Sequence, residues 1–557
     1  MLVKKAIHII FLLAEAFVGL LIVSLILFSL LVRIEPPEVV EVEIPDVEQL
    51  SETHFTCGNN WLRQDEDGIW VVYIEGAPYE RGLVYGALCE KLIRDQEVIF
   101  VAQIQEMIPS DFFLNFLKFF VAWFNKDMEE YVPLEFQQEI YGVSKSFSDD
   151  FNWVAPKYHR VINYHAAHDI GHALQELAVV GCTSFGASGS YSSDSTLLVG
   201  RNFDFYMGPE FAKQRLLSIV NPDEGYAYSS YSWAGLMGVV SGMNEVGLTV
   251  TINAAKSDLP TGAKDPISIL AREVLQYAST IEEAVSICEK RDVFVSESLM
   301  IGSTIDNRTA IIEKSPMKFG VFDPHTDLVV CSNHYQSDFY AEDEANLLNI
   351  EESDSPYRFE LMKSLLERNA PLDPRDAIAI LSETKGLEAL DIGLGNPKSI
   401  NQLIGHHAII FKPTKQLFWI SNYPNQIGGM QAFNLQELLA RDKVDQSSLD
   451  LDSLKLGARS LFSSVRYDQF LEYLEIKEKL SKAIHFGKNY ELTEEVENRF
   501  LTLNTGSFIT YMTLGQYYLK KENKVKAEAY FKMALDREVS SPKERTKIKS
   551  LIHDCQN

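Results

Sequence analysis

Beyond Gly181 the chain changes texture, and that change limits its fold more than any other feature. From Cys182 on, short runs rich in β-branched and aromatic residues follow one another at 182–187, 196–201, 216–220, 227–232, 237–241 and 248–253. The breaks at 189–195 and 243–247 carry the glycines and polar side chains that hairpins need. These runs predict an antiparallel sheet. Helical periodicity then takes over at 266–277 and 281–291, strands return at 299–303, 309–313 and 328–332, and a helix at 356–367 precedes a hairpin at 407–421. This order predicts an α+β domain over 182–435 in which helices cover a sheet.

Upstream, residues 6–32 are almost unbrokenly apolar, interrupted chiefly by His8 and Glu15, a length sufficient to cross a bilayer as a helix. The run ends in Leu31-Val32-Arg33, without the small-residue cleavage site of a secretory signal, so an uncleaved anchor (1–33) is expected. Lys4 and Lys5 precede it and an acidic stretch, 35–48, follows; the amino terminus is thus expected inside and everything after Arg33 outside the cytoplasm. Glu15 is costly in lipid and marks either a helix partner or an interfacial position. Residues 34–60, acidic with Pro36, Pro37 and Pro45, read as an extended linker lifting the body off the membrane. A globular segment (61–181) is expected from Trp61, with a strand at 70–74 and helix from Tyr79.

With 46% hydrophobic and 11% aromatic residues the chain can bury a sizeable core. Its net charge of −27 opposes binding to nucleic acid. Six cysteines are too few for a disulfide-held fold and lack paired metal-ligand spacing; any pairing among them is open. The tail (442–557) reads as all helical. Within it Tyr511, Leu514, Gly515, Tyr518, Ala527, Phe531 and Ala534 follow the pattern of one tetratricopeptide unit, and a lone unit makes no solenoid. The tail is either a helical cap or a surface for a protein partner.

Cys182 alone reads as a small core hydrophobe. Its surroundings say more. Gly181-Cys182-Thr183-Ser184-Phe185, followed by Gly200-Arg201-Asn202-Phe203-Asp204, resembles the opening of the N-terminal-nucleophile hydrolases. Within them it is most similar to the acyl-CoA:6-aminopenicillanic-acid acyltransferase family and more distantly to the choloylglycine hydrolases. Upstream, Ile74-Glu75-Gly76-Ala77-Pro78-Tyr79-Glu80-Arg81-Gly82, with Gly86, is similar to that family's propeptide start, and the resemblance spans 70–423.

The resemblance implies a four-layer αββα sandwich and a precursor that cuts itself between Gly181 and Cys182. Glycine offers no side chain to hinder attack by the neighbouring sulfur. The freed α-amino group, with an ordinary pKa of about 8, would accept the thiol proton. The thiolate would take an acyl group as a thioester and pass it to water or an amine. By the same resemblance Asp204 holds the new amino group, Arg201 polarises the site, Asn253 supplies the oxyanion hole, Asn333 is a second site asparagine, and Arg358 opens the following helix beside the site. Without it, Arg201 and Asp204 read as a surface ion pair, Asn253 as a turn residue and Arg358 as a solvated charge. The implied substrate is a small N-acyl amide or acyl donor, lipid-like if the tether matters, with no cofactor.

One other constellation stands apart. His165, His168 and His172, with Asp169, fall near one helix face and could hold a metal with an open position, although the spacing is not His-Glu-x-x-His. Packing against the cleavage point is the other reading.

Overall fold

The computed structural model describes residues 2–108, 110–166, 169, 179–258, 262–424, 426–487 and 489–557. Two sheets pack face to face. The larger has eleven strands, running from Glu48–Ser51 at one edge through Trp70–Gly76, Leu216–Pro222, Leu248–Ala254 and Glu297–Ser303 to Phe319–Phe322 at the other. The smaller has six, in the order Leu328–Cys331, Thr183–Ala187, Leu198–Phe203, His407–Lys412, Leu417–Ser421 and Met430–Asn434.

Side chains alternate faces along a strand, and that period sorts the core. Val71, Leu217, Ile219 and Met300 of the larger sheet meet Val199, Ile409, Phe411 and Phe418 of the smaller. Their strand neighbours Val72, Val250, Leu299 and Ile301 point the other way, into a core shared with the helices Pro78–Leu88, Leu134–Ser144, Lys157–His165, Ile267–Tyr277 and Ile281–Lys290. On the far face of the smaller sheet, Phe185, Leu198, Ile410 and Trp419 pack under Ser355–Asn369 and Pro374–Leu381. The result is four layers, helix, sheet, sheet, helix. Strands covered on both faces explain why the runs are so continuously apolar.

The single sheet that the strand runs suggest by themselves is two, as the four-layer arrangement implied by the resemblance has it. The strands Thr183–Ala187 and Leu198–Phe203 belong to the smaller sheet, and the next ones from Leu216 to the larger. Residues 237–241 do not form the expected strand, which lies at Ser241–Asn244 instead; Val239 N donates to Ser268 O on the covering helix at 2.8 Å. Among the described strands one pairing is parallel, between Trp70–Gly76 and Leu216–Pro222, and the helices between them provide the crossover that parallel strands require.

The acidic segment is not a free spacer. Glu48–Ser51 and His54–Cys57 add strands to the larger sheet ahead of Trp61, and Ile34 is buried. Cys57 Sγ donates to Pro45 O at 3.1 Å, Tyr79 Oη to Glu41 Oε2 at 3.1 Å, and Gln138 Nε2 to Glu38 O at 3.1 Å. The apolar side chains in this stretch, Ile34 and Ile44, reach the core and draw the backbone down with them.

The helix Leu2–Leu31 covers the amino-terminal apolar run. Among the described residues no single helix is long and apolar enough to cross a membrane; Glu15–Leu31 is an apolar stretch shorter than that. In the tail, α-helices begin only at Val465, because the chain before it is laid along the smaller sheet, where Leu456 and Met430 exchange backbone bonds. Phe508–Lys520 and Lys524–Leu535 form one helix hairpin with Gly515 facing Phe531, and nothing beyond this hairpin shows a tetratricopeptide array. Phe470 and Tyr473 of the tail share a core with Leu394, Leu403 and Ile427 of the body, so this part of the tail packs on the body.

Candidate active site

Cys182 immediately precedes the strand Thr183–Ala187, whose neighbour Leu198–Phe203 runs antiparallel with Ser184 opposite Arg201. Directly opposed residues share a face, and so do residues two apart on one strand. The register therefore brings Arg201 to the side of Cys182, in the space between the sheets. Arg201 Nη2 lies 3.8 Å from Cys182 Sγ. Its guanidinium is held by Val240 O at 2.6 Å, by Ser241 Oγ at 2.5 Å and by Ile252 O, with the Phe203 ring 4.3 Å away. Burial pushes the Cys182 thiol up to about 11, and the Arg201 charge only partly offsets that.

Asp204 follows the same strand. The chain turns there and pairs Phe205 with Val180, so that Gly181 N donates to Asp204 O at 3.3 Å. Both Arg201 and Asp204 are fully buried, which removes the surface ion pair as an account of them. Burial raises the Asp204 carboxyl to about 7, against the pull of Arg358 and Arg201.

Arg358, in the first turn of Ser355–Asn369, is buried rather than solvated. Its Nη1 reaches Gly181 O at 3.1 Å, Cys182 O at 2.9 Å, Thr183 Oγ1 at 2.9 Å and Ser332 Oγ at 3.1 Å. Its Nη2 donates to Asn333 Oδ1 at 2.8 Å, while Asn333 Nδ2 donates to Ala254 O at 2.8 Å. Asn253, on the larger sheet, accepts from Ser184 Oγ at 3.1 Å and makes only long contacts, 3.4 Å each, to Cys331 O and Ser332 O. It is a buried strand residue, not a turn residue. Thus Arg201 and Arg358 touch Cys182, the Asp204 backbone touches Gly181, and the two asparagines join through Ser184 and Arg358.

Two groups escaped the sequence reading. Gln402 Nε2 donates to Gly181 O at 3.0 Å and, at 3.4 Å, to Asp204 Oδ2. Behind Arg201, Ser241 Oγ contacts His407 Nε2 at 2.9 Å, and His407 Nδ1 contacts His406 Nδ1 at 2.8 Å. Neither stands in a local motif; only the fold brings them in.

The histidine constellation gains nothing. His165 Nδ1 bonds Val161 O at 2.9 Å and its Nε2 accepts from Met237 N at 2.8 Å, leaving no ring nitrogen for a metal. Asp169 Oδ2 accepts from Ile267 N at 2.9 Å, while His168 and His172 lie outside the described residues. Among the described residues no group of three or more His, Cys, Asp or Glu could hold a metal ion.

Residues 191–392 match the model of the Acyl-coenzyme A:6-aminopenicillanic acid acyl-transferase family. The resemblance to that family therefore holds over a stretch that includes Arg201, Asp204, Asn253, Asn333 and Arg358 and begins downstream of Cys182. An uncharacterized protein of Archaeoglobus fulgidus is 26% identical over 364 residues, covering 58% of this chain and 58% of that protein. The N-acylethanolamine-hydrolyzing acid amidase of Caenorhabditis elegans is 24% identical over 206 residues, 35% of this chain and 55% of the amidase. The chain thus spans less than two thirds of the length of these relatives. Among solved structures, the Caenorhabditis elegans N-acylethanolamine-hydrolyzing acid amidase ortholog has a TM-score of 0.30 at 19% identity, covering 42% of this chain and 93% of that one. A mutant conjugated bile acid hydrolase from Clostridium perfringens has a TM-score of 0.32 at 14% identity, with 48% and 96% covered.

Proposed function

We propose that this chain is an amide hydrolase or acyltransferase of the N-terminal-nucleophile type, which cuts itself before Cys182 and then works through a Cys182 thioester. One observation carries the reading. A buried sulfur lies against the Arg201 guanidinium, the carbonyl it would attack is held by Arg358 and Gln402, and Asp204 reaches that glycine through its backbone and through Gln402. In the uncut chain the thiol is held protonated and no histidine contact to it stands among its described partners; a freed α-amino group, set against Asp204, supplies the missing base. Arg201 then stabilises the thiolate, and Asn253 turns its weakly engaged amide to the substrate oxyanion. The relatives include an N-acylethanolamine-hydrolyzing acid amidase by name, which fits acyl transfer from an amide.

An apolar substrate delivered at a membrane fits an apolar cavity that reaches Phe205, the residue after Asp204, although none of the site residues named above lines it. A cavity of about 230 Å³ is lined by Val101, Ile104, Leu114, Leu117, Val121 and Phe205, the last paired with Val180 just ahead of the bond to be cut. The helix Asp111–Phe124 lends Leu114, Leu117 and Val121 to that cavity and exposes Phe112, Phe116, Phe120 and Trp123 on its surface. Phe28 of the amino-terminal helix stacks on Trp123 at 6.0 Å. Together these form an exposed apolar patch, the kind of feature that marks an interaction surface. A membrane anchor at 6–32 with the catalytic body outside the cytoplasm accords with it, and long-chain N-acyl amines are the substrate class we assign.

Intact-mass analysis of expressed protein under denaturing conditions is the test. Two fragments divided before Cys182, and a Cys182→Ala chain that stays whole and inactive, are expected. Turnover that survives in Cys182→Ala would end the proposal. Turnover of short soluble amides alone would leave the chemistry standing and remove the lipid-like substrate.

A further inference from the structure

We infer that Gln402 is a catalytic residue of the self-cleavage step: with Arg358 it forms the pair of donors that holds the oxyanion on Gly181. The inference rests on the self-cleavage proposed above and concerns a residue outside the family-matched stretch. The Gly181 carbonyl oxygen accepts from Gln402 Nε2 at 3.0 Å and from Arg358 Nη1 at 3.1 Å. Both donors are buried, so water does not screen or replace them.

The reaction needs such a pair. Cys182 Sγ adds to the Gly181 carbonyl carbon, a carbon–sulfur bond forms, and the oxygen takes up the electron pair of its double bond. Collapse breaks the carbon–nitrogen bond, and the thiol proton ends on the Cys182 nitrogen. Water then hydrolyses the thioester, returning the thiol and leaving a Gly181 carboxylate. The negative charge develops on the Gly181 oxygen while the proton travels from sulfur to the Cys182 nitrogen, and preset donors at that oxygen act where the negative charge appears.

A second observation ties the two residues together. A Cβ built on Gly181 would sit 2.2 Å from Gln402 Nε2 and 3.0 Å from its Oε1. The amide nitrogen thus occupies the space that a side chain at position 181 would take, and glycine lets it approach. The loop is also braced: Asn401 N donates to Glu383 O at 2.8 Å, Leu403 N to Asn401 Oδ1 at 2.9 Å, and Leu403 packs with Phe470 and Tyr473 of the helical tail. A donor fixed from both sides loses little orientation when the intermediate forms.

The experiment follows cleavage in time, in full-length chain made by cell-free translation with detergent present, for wild type, Gln402→Met and Gln402→Glu. Gln402→Met keeps the volume and lacks the donor; its cleavage should slow by about 10²–10³-fold, while cooperative urea unfolding persists. Gln402→Glu should be slow at neutral pH and speed up relative to wild type as pH falls, because only the protonated carboxyl donates. Cleavage of Gln402→Met within about threefold of wild type overturns the inference and leaves self-cleavage intact. Should Gln402→Met not fold, a Gln402→Glu profile parallel to wild type overturns it equally. A wild-type chain that stays whole and active removes self-cleavage itself, and this inference with it.

Discussion

The Arg201 guanidinium stands 3.8 Å from the Cys182 sulfur and is fastened by three other oxygens, those of Val240, Ser241 and Ile252. Its position is thus set by the larger sheet, while the sulfur it faces belongs to the smaller one. A lysine keeps the charge and loses the fork that makes several bonds at once. Arg201→Lys should therefore lower kcat/KM by about 10²-fold or more, measured on cleaved enzyme with an N-acyl amine. Unchanged kinetics would mean that the charge acts on structure alone.

Gly181→Ala should stay uncut. The added methyl meets the Gln402 amide, so either the amide or the bond it grips must move. Overpacking of this kind costs about 1–3 kcal/mol, visible as a lower urea midpoint beside a single intact mass. Efficient cutting of this variant would show that the close approach of Gly181 and Gln402 is not required.

Asp204 predicts a pH dependence of the uncut chain. Its folded carboxyl, raised to about 7, binds a proton more tightly than the same group unfolded, whose pKa is about 3.9. Folding then takes up a proton between these values, so this group's contribution to stability falls as pH rises from about 4 to 7 and levels off above. In a Cys182→Ala background, unfolding midpoints for Asp204 and Asp204→Asn should therefore diverge across that window, with the asparagine variant less sensitive to pH. Parallel curves would contradict the raised carboxyl.

His165→Ala separates structure from chemistry. The ring closes bonds to Val161 O and Met237 N inside the body, and its loss leaves a buried backbone N–H unpaired at a cost of about 1–3 kcal/mol. Turnover of the folded variant should stay within a few-fold of wild type, and a chelator should leave the wild-type rate unchanged. Loss of activity on chelation would revive a metal reading.

The strand runs after Cys182 were legible because burial on both faces leaves continuous apolar stretches, whereas Arg201 was legible only through the family resemblance, its spacing from Asp204 alone reading as a surface ion pair. The division into two sheets was legible only through the resemblance, not from the runs themselves. Ser184 and Thr249 sit on similar runs, and only the long pairings of Leu328–Cys331 and His407–Lys412 with the first two strands decide which sheet each joins. The acidic stretch misled by composition, since the few residues that mattered, Ile34 and Ile44, were outnumbered by the charges around them. Gln402 was invisible for a different reason. Its partner lies more than two hundred positions earlier, and a lone buried amide carries no local pattern.

The parallel pairing of Trp70–Gly76 with Leu216–Pro222 has seven residue pairs in register and joins one stretch before Cys182 to one after it. A chain severed between them would remain sewn along this seam, each piece completing the other's sheet. Matured protein should then travel as a single body through a sizing column and come apart only in denaturant, and the upstream piece, stripped of its partner strand, should not survive as a folded unit of its own.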